Sequence, residues 1–169
     1  MEELARAAWE AASGRSKHFA ETDLVADEEI RLLIVDDEVA FLDSLSTALE
    51  RRGMHVSTAA SGDDALMLLG ERSFDVALLD VRLPDTNGIN LLYRVKEAQP
   101  TIEVIMLTGH PTVETGVEGI RGGAFHYLTK PCDTEFLARK IRDAYANARA
   151  RREEARRRNV DSLLQGRWE

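Results

Sequence analysis

From residue 30 onward the chain alternates between short apolar runs and segments whose apolar residues recur at helical spacing. IRLLIVDD, MHVSTA, FDVALLD, IEVIMLTG and AFHYLTK supply the runs. Between them come Val39, Leu42, Leu45, Ala48 and Leu49, then Ala65, Leu68 and Leu69, then Gly88 to Ala98, then VETGVEGIRGG. A last helix is expected from near Asp133. Gly53 suits a helix stop, and Ser61 with Asp64 three residues on suits a helix start. The strand-like runs are continuously apolar, as in strands buried on both faces. This pattern predicts an α/β doubly wound fold, a parallel sheet with helices on both sides and right-handed crossovers. In such sheets ligands bind beyond the carboxyl ends of the strands.

Those ends carry chemistry. The first strand runs into Asp36 and Asp37, the third into Asp80, the fourth into Thr108 and Gly109, the fifth into Lys130 and Pro131. A carboxylate at the end of a buried strand is costly unless compensated. Three gathered carboxylates raise one another's pKa, and a hard divalent cation such as Mg²⁺ relieves that cost through oxygen ligands. A lysine supplies a point charge for a phosphoryl oxygen and a threonine hydroxyl can donate to another. The set suits phosphoryl transfer to a carboxylate nucleophile. Plainer readings exist for each residue alone. An acidic pair after a strand often serves the next helix N-terminus. Asp80 could start a turn, yet Pro84 and Asn87-Gly88 lie four to eight residues later. Lys130 could be a solvated strand end, and Tyr127 a half-buried core aromatic.

Taken in order, Asp36-Asp37, Asp80, Thr108 and Lys130-Pro131 resemble the receiver domains of two-component response regulators, over residues 30–147. Pro84 and Gly88 match the loop after the phosphoacceptor, and Tyr127 the aromatic switch position. The resemblance implies a flavodoxin-like (βα)5 fold with strand order 2-1-3-4-5, an order for which a receiver is itself a known instance. It implies Asp80 as phosphoacceptor, with Mg²⁺ held by Asp36, Asp37, Asp80 and the backbone carbonyl of Arg82. Lys130 and Thr108 would hold phosphoryl oxygens. Thr108 and Tyr127 would form the switch, acting on the surface of the fourth helix, fifth strand and fifth helix. Arg82 and His110 would tune the lifetime of the phosphoryl group. The donor would be a sensor histidine kinase or a phosphotransfer protein. The output would be a protein partner, with a phosphorylation-dependent homodimer among the arrangements implied. Gly116 and Gly119 inside the fourth helix predict a marginal helix there.

The flanks are less regular. Residues 1–29 read as a weakly ordered extension with a short helix within 2–12. Residues 148–169 read as an arginine-rich helical extension ending in a tail, NVDSLLQGRWE. Net charge is −8, but residues 149–158 hold six arginines and two glutamates, leaving −12 for the remainder. An acidic body argues against nucleic acid as a direct partner. Nothing is apolar enough to cross a membrane, and a single cysteine, Cys132, fits a reducing cytoplasm. Glu153 and Glu154 stand four residues before Arg157 and Arg158, which favours a solvated helix. Three functions follow: a receiver signalling through protein contacts, the receiver part of a longer transcription regulator, and an aspartyl-phosphate phosphatase. Arg82 counts against the last, because such enzymes usually place an acid two residues after the nucleophile.

Overall fold

A computed structural model of the chain describes residues 3–5, 8–9 and 29–166. Five strands form one parallel sheet: β1 (Arg31–Val35), β2 (His55–Ala59), β3 (Val76–Leu79), β4 (Glu103–Thr108) and β5 (His126–Thr129). Their order is β2-β1-β3-β4-β5. Helices α1 (Val39–Glu50), α2 (Gly62–Glu71), α3 (Gly88–Ala98), α4 (Val113–Arg121) and α5 (Thr134–Gln165) alternate with them. The fold is the flavodoxin-like arrangement that the alternation and the resemblance predict.

Successive side chains of a strand point to opposite faces, so each strand feeds two cores. Leu33, Val35, Ala77, Leu79, Val104 and Met106 pack with Ala65 and Leu69 of α2 and with Ile89, Leu92 and Val95 of α3. Leu32, Ile34, Val76, Leu78, Ile105 and Leu107 pack with Leu42, Leu45 and Leu49 of α1 and with Leu137, Ile141 and Ala144 of α5. β3 and β4 are buried along their whole length, which explains the unbroken apolar run of β3 and of Val104–Leu107 within β4. Register pairs Val35 with Leu79, Leu79 with Met106 and Met106 with Tyr127. The strand ends are therefore level with one another.

Polar side chains fix where elements begin. Ser61 Oγ accepts from Asp64 N at 3.2 Å, and Asn87 Oδ1 accepts from Ile89 N at 2.7 Å. Thr112 and Thr115 form a reciprocal capping pair at the start of α4. Gly53 takes φ +83° just after α1, a region that disfavours any residue with a Cβ. Gln99 closes α3: its Oε1 accepts from Phe74 N at 2.9 Å, and its Nε2 donates to Leu69 O and Arg72 O at 2.9 Å each. It thus ties α3 to the end of α2 and the turn into β3. Gln99→Ala is expected to lower stability by about 1–3 kcal/mol, read as a lower urea midpoint at unchanged slope.

The arginine-rich segment is helical through Gln165, and two of its arginines meet buried acids that the sequence did not point to. α5 runs unbroken for 32 residues, about 48 Å at 1.5 Å per residue, and absorbs most of the predicted tail. Ala148 is buried. Arg151 Nη1 donates to Glu103 Oε1 at 2.8 Å, and Arg152 Nη1 to Asp75 Oδ1 at 2.5 Å. These two arginines neutralise buried acids at the amino end of the sheet, Arg151 from a half-exposed position. Farther along, Glu153–Arg157 and Glu154–Arg158 pair at 3.1 and 2.5 Å, as the spacing predicts. At the other end of the chain, residues 3–5 and 8–9 are helical, with Ala5 and Trp9 buried. Apart from these residues and Glu29, the extension expected to be weakly ordered over residues 1–29 lies outside the described residues. Among the described residues no helix is long and apolar enough to cross a membrane.

Candidate functional site

β1 and β3 continue their ladders one residue past the last paired position. Asp36 N donates to Ala59 O at 3.1 Å and Asp80 N to Val35 O at 3.1 Å. This delivers both carboxylates to the carboxyl edge of the sheet. Asp36, Asp37 and Asp80 each present an oxygen, all within 4.8 Å of one another. Asp36 and Asp80 are buried, while Asp37 is exposed. Lys130 Nζ donates to Asp36 Oδ2 in a short contact and to Asp80 Oδ2 at 3.2 Å. The Lys130 backbone is held by its own N donating to Thr108 O at 2.8 Å. The Lys130–Pro131 peptide is cis.

The electrostatics follow from that crowding. Burial pushes the Asp36 carboxyl above the usual range; hydrogen bonds from Lys130 and Glu38 N offset this only in part, and the Asp80 charge adds to it. Burial works against the Lys130 ammonium, but the Asp36 hydrogen bond and the charges of Asp80 and Asp36 outweigh it and raise its pKa. One lysine thus faces three acids. The donor set is all oxygen and over-charged, which suits a hard divalent cation.

The segment after Asp80 is folded tightly back on it. Arg82 N donates to Asp80 Oδ1 at 3.2 Å. Gly88 N donates to Val81 O at 2.7 Å, and Arg82 and Asn87 form an antiparallel bridge. Asp85 anchors the far side: its two carboxylate oxygens accept from Gly62 N and Asp63 N at 2.9 Å each. The Arg82 side chain is exposed.

Thr108 is fully buried, and its Oγ1 accepts from His110 N at 3.1 Å. His110 is exposed. Tyr127 is buried, its hydroxyl 2.6 Å from Thr115 Oγ1 and accepting from Thr112 N at 3.4 Å. The structure therefore brings Asp36, Asp37, Asp80 and Lys130 into one cluster and sets Thr108 on the adjacent strand end. Tyr127 and His110 lie outside the direct contacts. Four participants were not evident from the sequence. The Phe41 ring lies 4.1 Å from Lys130 Nζ. Asp85 clamps the loop. Thr112 and Thr115 hold the tyrosine. Only the Thr112–Thr115 spacing carried a signal, that of a helix cap.

A family model described as the response regulator receiver domain matches residues 32–142. The chain belongs to that family. As a receiver it is similar to the transcriptional regulatory protein ZraR of Salmonella typhimurium, 38% identical over 121 residues covering 72% of this chain and 27% of ZraR. It is likewise similar to the alginate biosynthesis transcriptional regulatory protein AlgB of Pseudomonas aeruginosa, 36% identical over 68% of this chain and 26% of AlgB. The receiver thus spans about a quarter of the length of these curated relatives. Among solved structures it is similar to a CheY-like receiver domain protein from Methanospirillum hungatei, with a TM-score of 0.71, 34% identity and coverage of 73% of this chain and 99% of that one. NtrX from Brucella abortus gives a TM-score of 0.71 at 31% identity, with 76% of this chain aligned to 29% of that one.

Proposed function

We infer that residues 30–147 act as a phosphoacceptor switch in which Asp80 receives a phosphoryl group. The observation that carries this reading is the gathering of Asp80 with the carboxylates of Asp36 and Asp37 and with Lys130, which bonds both Asp36 and Asp80. A carboxylate oxygen of Asp80 attacks phosphorus, an O–P bond forms, and the P–N bond to a phosphohistidine of a sensor kinase or phosphotransfer protein breaks. The released imidazole takes up a proton. Asp36, Asp37, Asp80 and the Arg82 carbonyl would hold Mg²⁺. Bound there, the ion supplies charge neutralisation for the carboxylates and the incoming phosphoryl oxygens. Lys130, already hydrogen-bonded to both buried acids, exchanges one of these contacts for a phosphoryl oxygen. Thr108 gives up its bond from His110 N to donate to another. The exposed side chains of Arg82 and His110 flank the group and govern access of water to it.

Asp80 then carries about two negative charges. The reading is of a signalling switch in the cytoplasm, whose only chemistry is its own phosphorylation and dephosphorylation, with a protein partner as its output. A second reading adds to this. The matched relatives are transcriptional regulators of about four times the matched length, so the chain also fits the receiver part of such a regulator, with residues 148–169 as the start of its connection.

The test is an adduct assay. With Mg²⁺ and a small acyl phosphate the protein is expected to gain one acid-stable, alkali-labile phosphoryl group. Asp80→Asn should abolish it and Asp85→Asn should retain it, since Asp85 is engaged with α2. A fully labelled Asp80→Asn protein defeats the assignment.

A further inference from the structure

The face formed by α4 and β5 is occupied. The Trp9 ring lies 6.4 Å from the Tyr127 ring and 6.2 Å from the His126 ring, both in tilted contact, within the range of favourable aromatic pairs. Trp9 is 2% exposed. On α4, Gly116 is buried, and the single neighbour a Cβ there would meet within 4 Å is the Ala5 carbonyl, at 3.9 Å. The N-terminal helical residues thus lie at about van der Waals distance from the Cβ position of residue 116. A glycine that looked like a helix weakener therefore forms part of a seat.

We propose that the N-terminal segment around Ala5 and Trp9 is a built-in occupant of the α4–β5 face, and that phosphorylation of Asp80 unseats it. The coupling half of this rests on the phosphoacceptor reading above. A continuous set of contacts joins the two places. Thr108 Oγ1 holds His110 N, the same loop runs on to Thr112, Thr112 N donates to the Tyr127 hydroxyl, and Tyr127 carries Trp9. When Thr108 turns to a phosphoryl oxygen, the bond from His110 is lost. The loop and Tyr127 then shift, and the surface on which Trp9 rests is no longer formed. A buried tryptophan covers about 150–250 Å², so unseating it uncovers an apolar face for an output partner. The segment and that partner compete for the same surface. A ligand of one state alone shifts the balance toward that state, and here the ligand of the unphosphorylated state is tethered.

The chain has two tryptophans, Trp9 and Trp168, so full-length Trp168→Phe makes Trp9 the sole indole reporter. Acrylamide quenching of Trp9 is read alongside the mass of the Asp80 adduct, with Mg²⁺ and acetyl phosphate as the probe. Trp9 is expected to be shielded before labelling, and quenching should rise several-fold in step with the adduct. Gly116→Lys fills the seat with a side chain while improving helix propensity. It should expose Trp9 without any donor and leave Asp80 open to labelling. An adduct at full mass with Trp9 still shielded overturns the inference and leaves the phosphoacceptor reading intact. Absence of any adduct overturns both that reading and the coupling. Shielding that disappears on dilution assigns the seat to a second copy of the chain and overturns it as well. Shielding unchanged in Gly116→Lys places Trp9 elsewhere.

Discussion

Gly88→Ala is expected to unfold the loop that presents Asp80 and to destabilise the whole domain, by about 3 kcal/mol or more. A Cβ at residue 88 would stand 2.0 Å from the Asp80 carbonyl oxygen and 2.8 Å from both its carbon and Val81 Cα. All three are backbone atoms, so no side-chain rotation relieves the overlap. The close approach exists because Gly88 N donates to Val81 O at 2.7 Å while Asn87 caps α3 at the same point. The chain leaves β3, turns, and starts α3 within eight residues, and only a residue without a side chain fits inside that turn. Urea denaturation should show the loss as a large fall in midpoint. Any Gly88→Ala protein that does fold should label poorly at Asp80, because the displaced atom is the Asp80 carbonyl oxygen, on the residue proposed to take the phosphoryl group. A stable variant labelled to the wild-type extent would refute this account of the loop.

Asp75→Ala is expected to cost about 2–4 kcal/mol at neutral pH, through loss of a buried charge that several donors share. The Asp75 side chain is 3% exposed. Its Oδ2 accepts from Arg31 N at 2.8 Å and Arg31 Nε at 3.3 Å; its Oδ1 accepts from Arg31 Nη2 at 3.1 Å and Arg152 Nη1 at 2.5 Å. Burial alone would raise its pKa, but the hydrogen bonds from Arg31, then those of Arg152, outweigh it and hold the carboxyl below its ordinary value. A carboxyl that titrates lower in the folded chain than in the unfolded one stabilises fully above the unfolded value, about 3.9. That contribution is lost as pH falls through the lower, folded value. The gap in urea midpoint between wild type and Asp75→Ala should therefore be widest at neutral pH and shrink below about pH 4. A gap constant across that range would assign the effect to packing and not to charge. Arg152→Ala should show a smaller loss with the same direction, since Arg31 still meets the acid.

The two ends of the sheet use carboxylates in opposite ways. At the amino edge Asp75 is over-supplied with donors, and its pKa falls. At the carboxyl edge Asp36 is buried with too few donors, and its pKa rises. The first arrangement stabilises the fold. The second leaves a site short of positive charge, which a divalent cation can complete. Both acids stand beside a strand of the same sheet, and only their neighbours tell them apart.

That contrast marks the limit of what the residues alone could tell. The doubly wound fold, the end of each strand and the grouping of Asp36, Asp37, Asp80, Thr108 and Lys130 were legible, because they depend on local periodicity and on one rule about where parallel strands end. Asp75 and Glu103 were not distinguished from other polar residues at strand starts. Their partners, Arg31, Arg151 and Arg152, are brought to them by crossovers and by the length of α5. Phe41 beneath Lys130 and Asp85 across from α2 were hidden for the same reason. Nor did the sequence show that Trp9 rests on Tyr127 or that Gly116 is a contact surface. The sequence by itself determined the layers and which residues gather at the carboxyl edge, since both follow from patterns a few residues long. Only the tertiary structure decided which charges are satisfied and which face is covered, since those depend on atoms that meet across the whole chain.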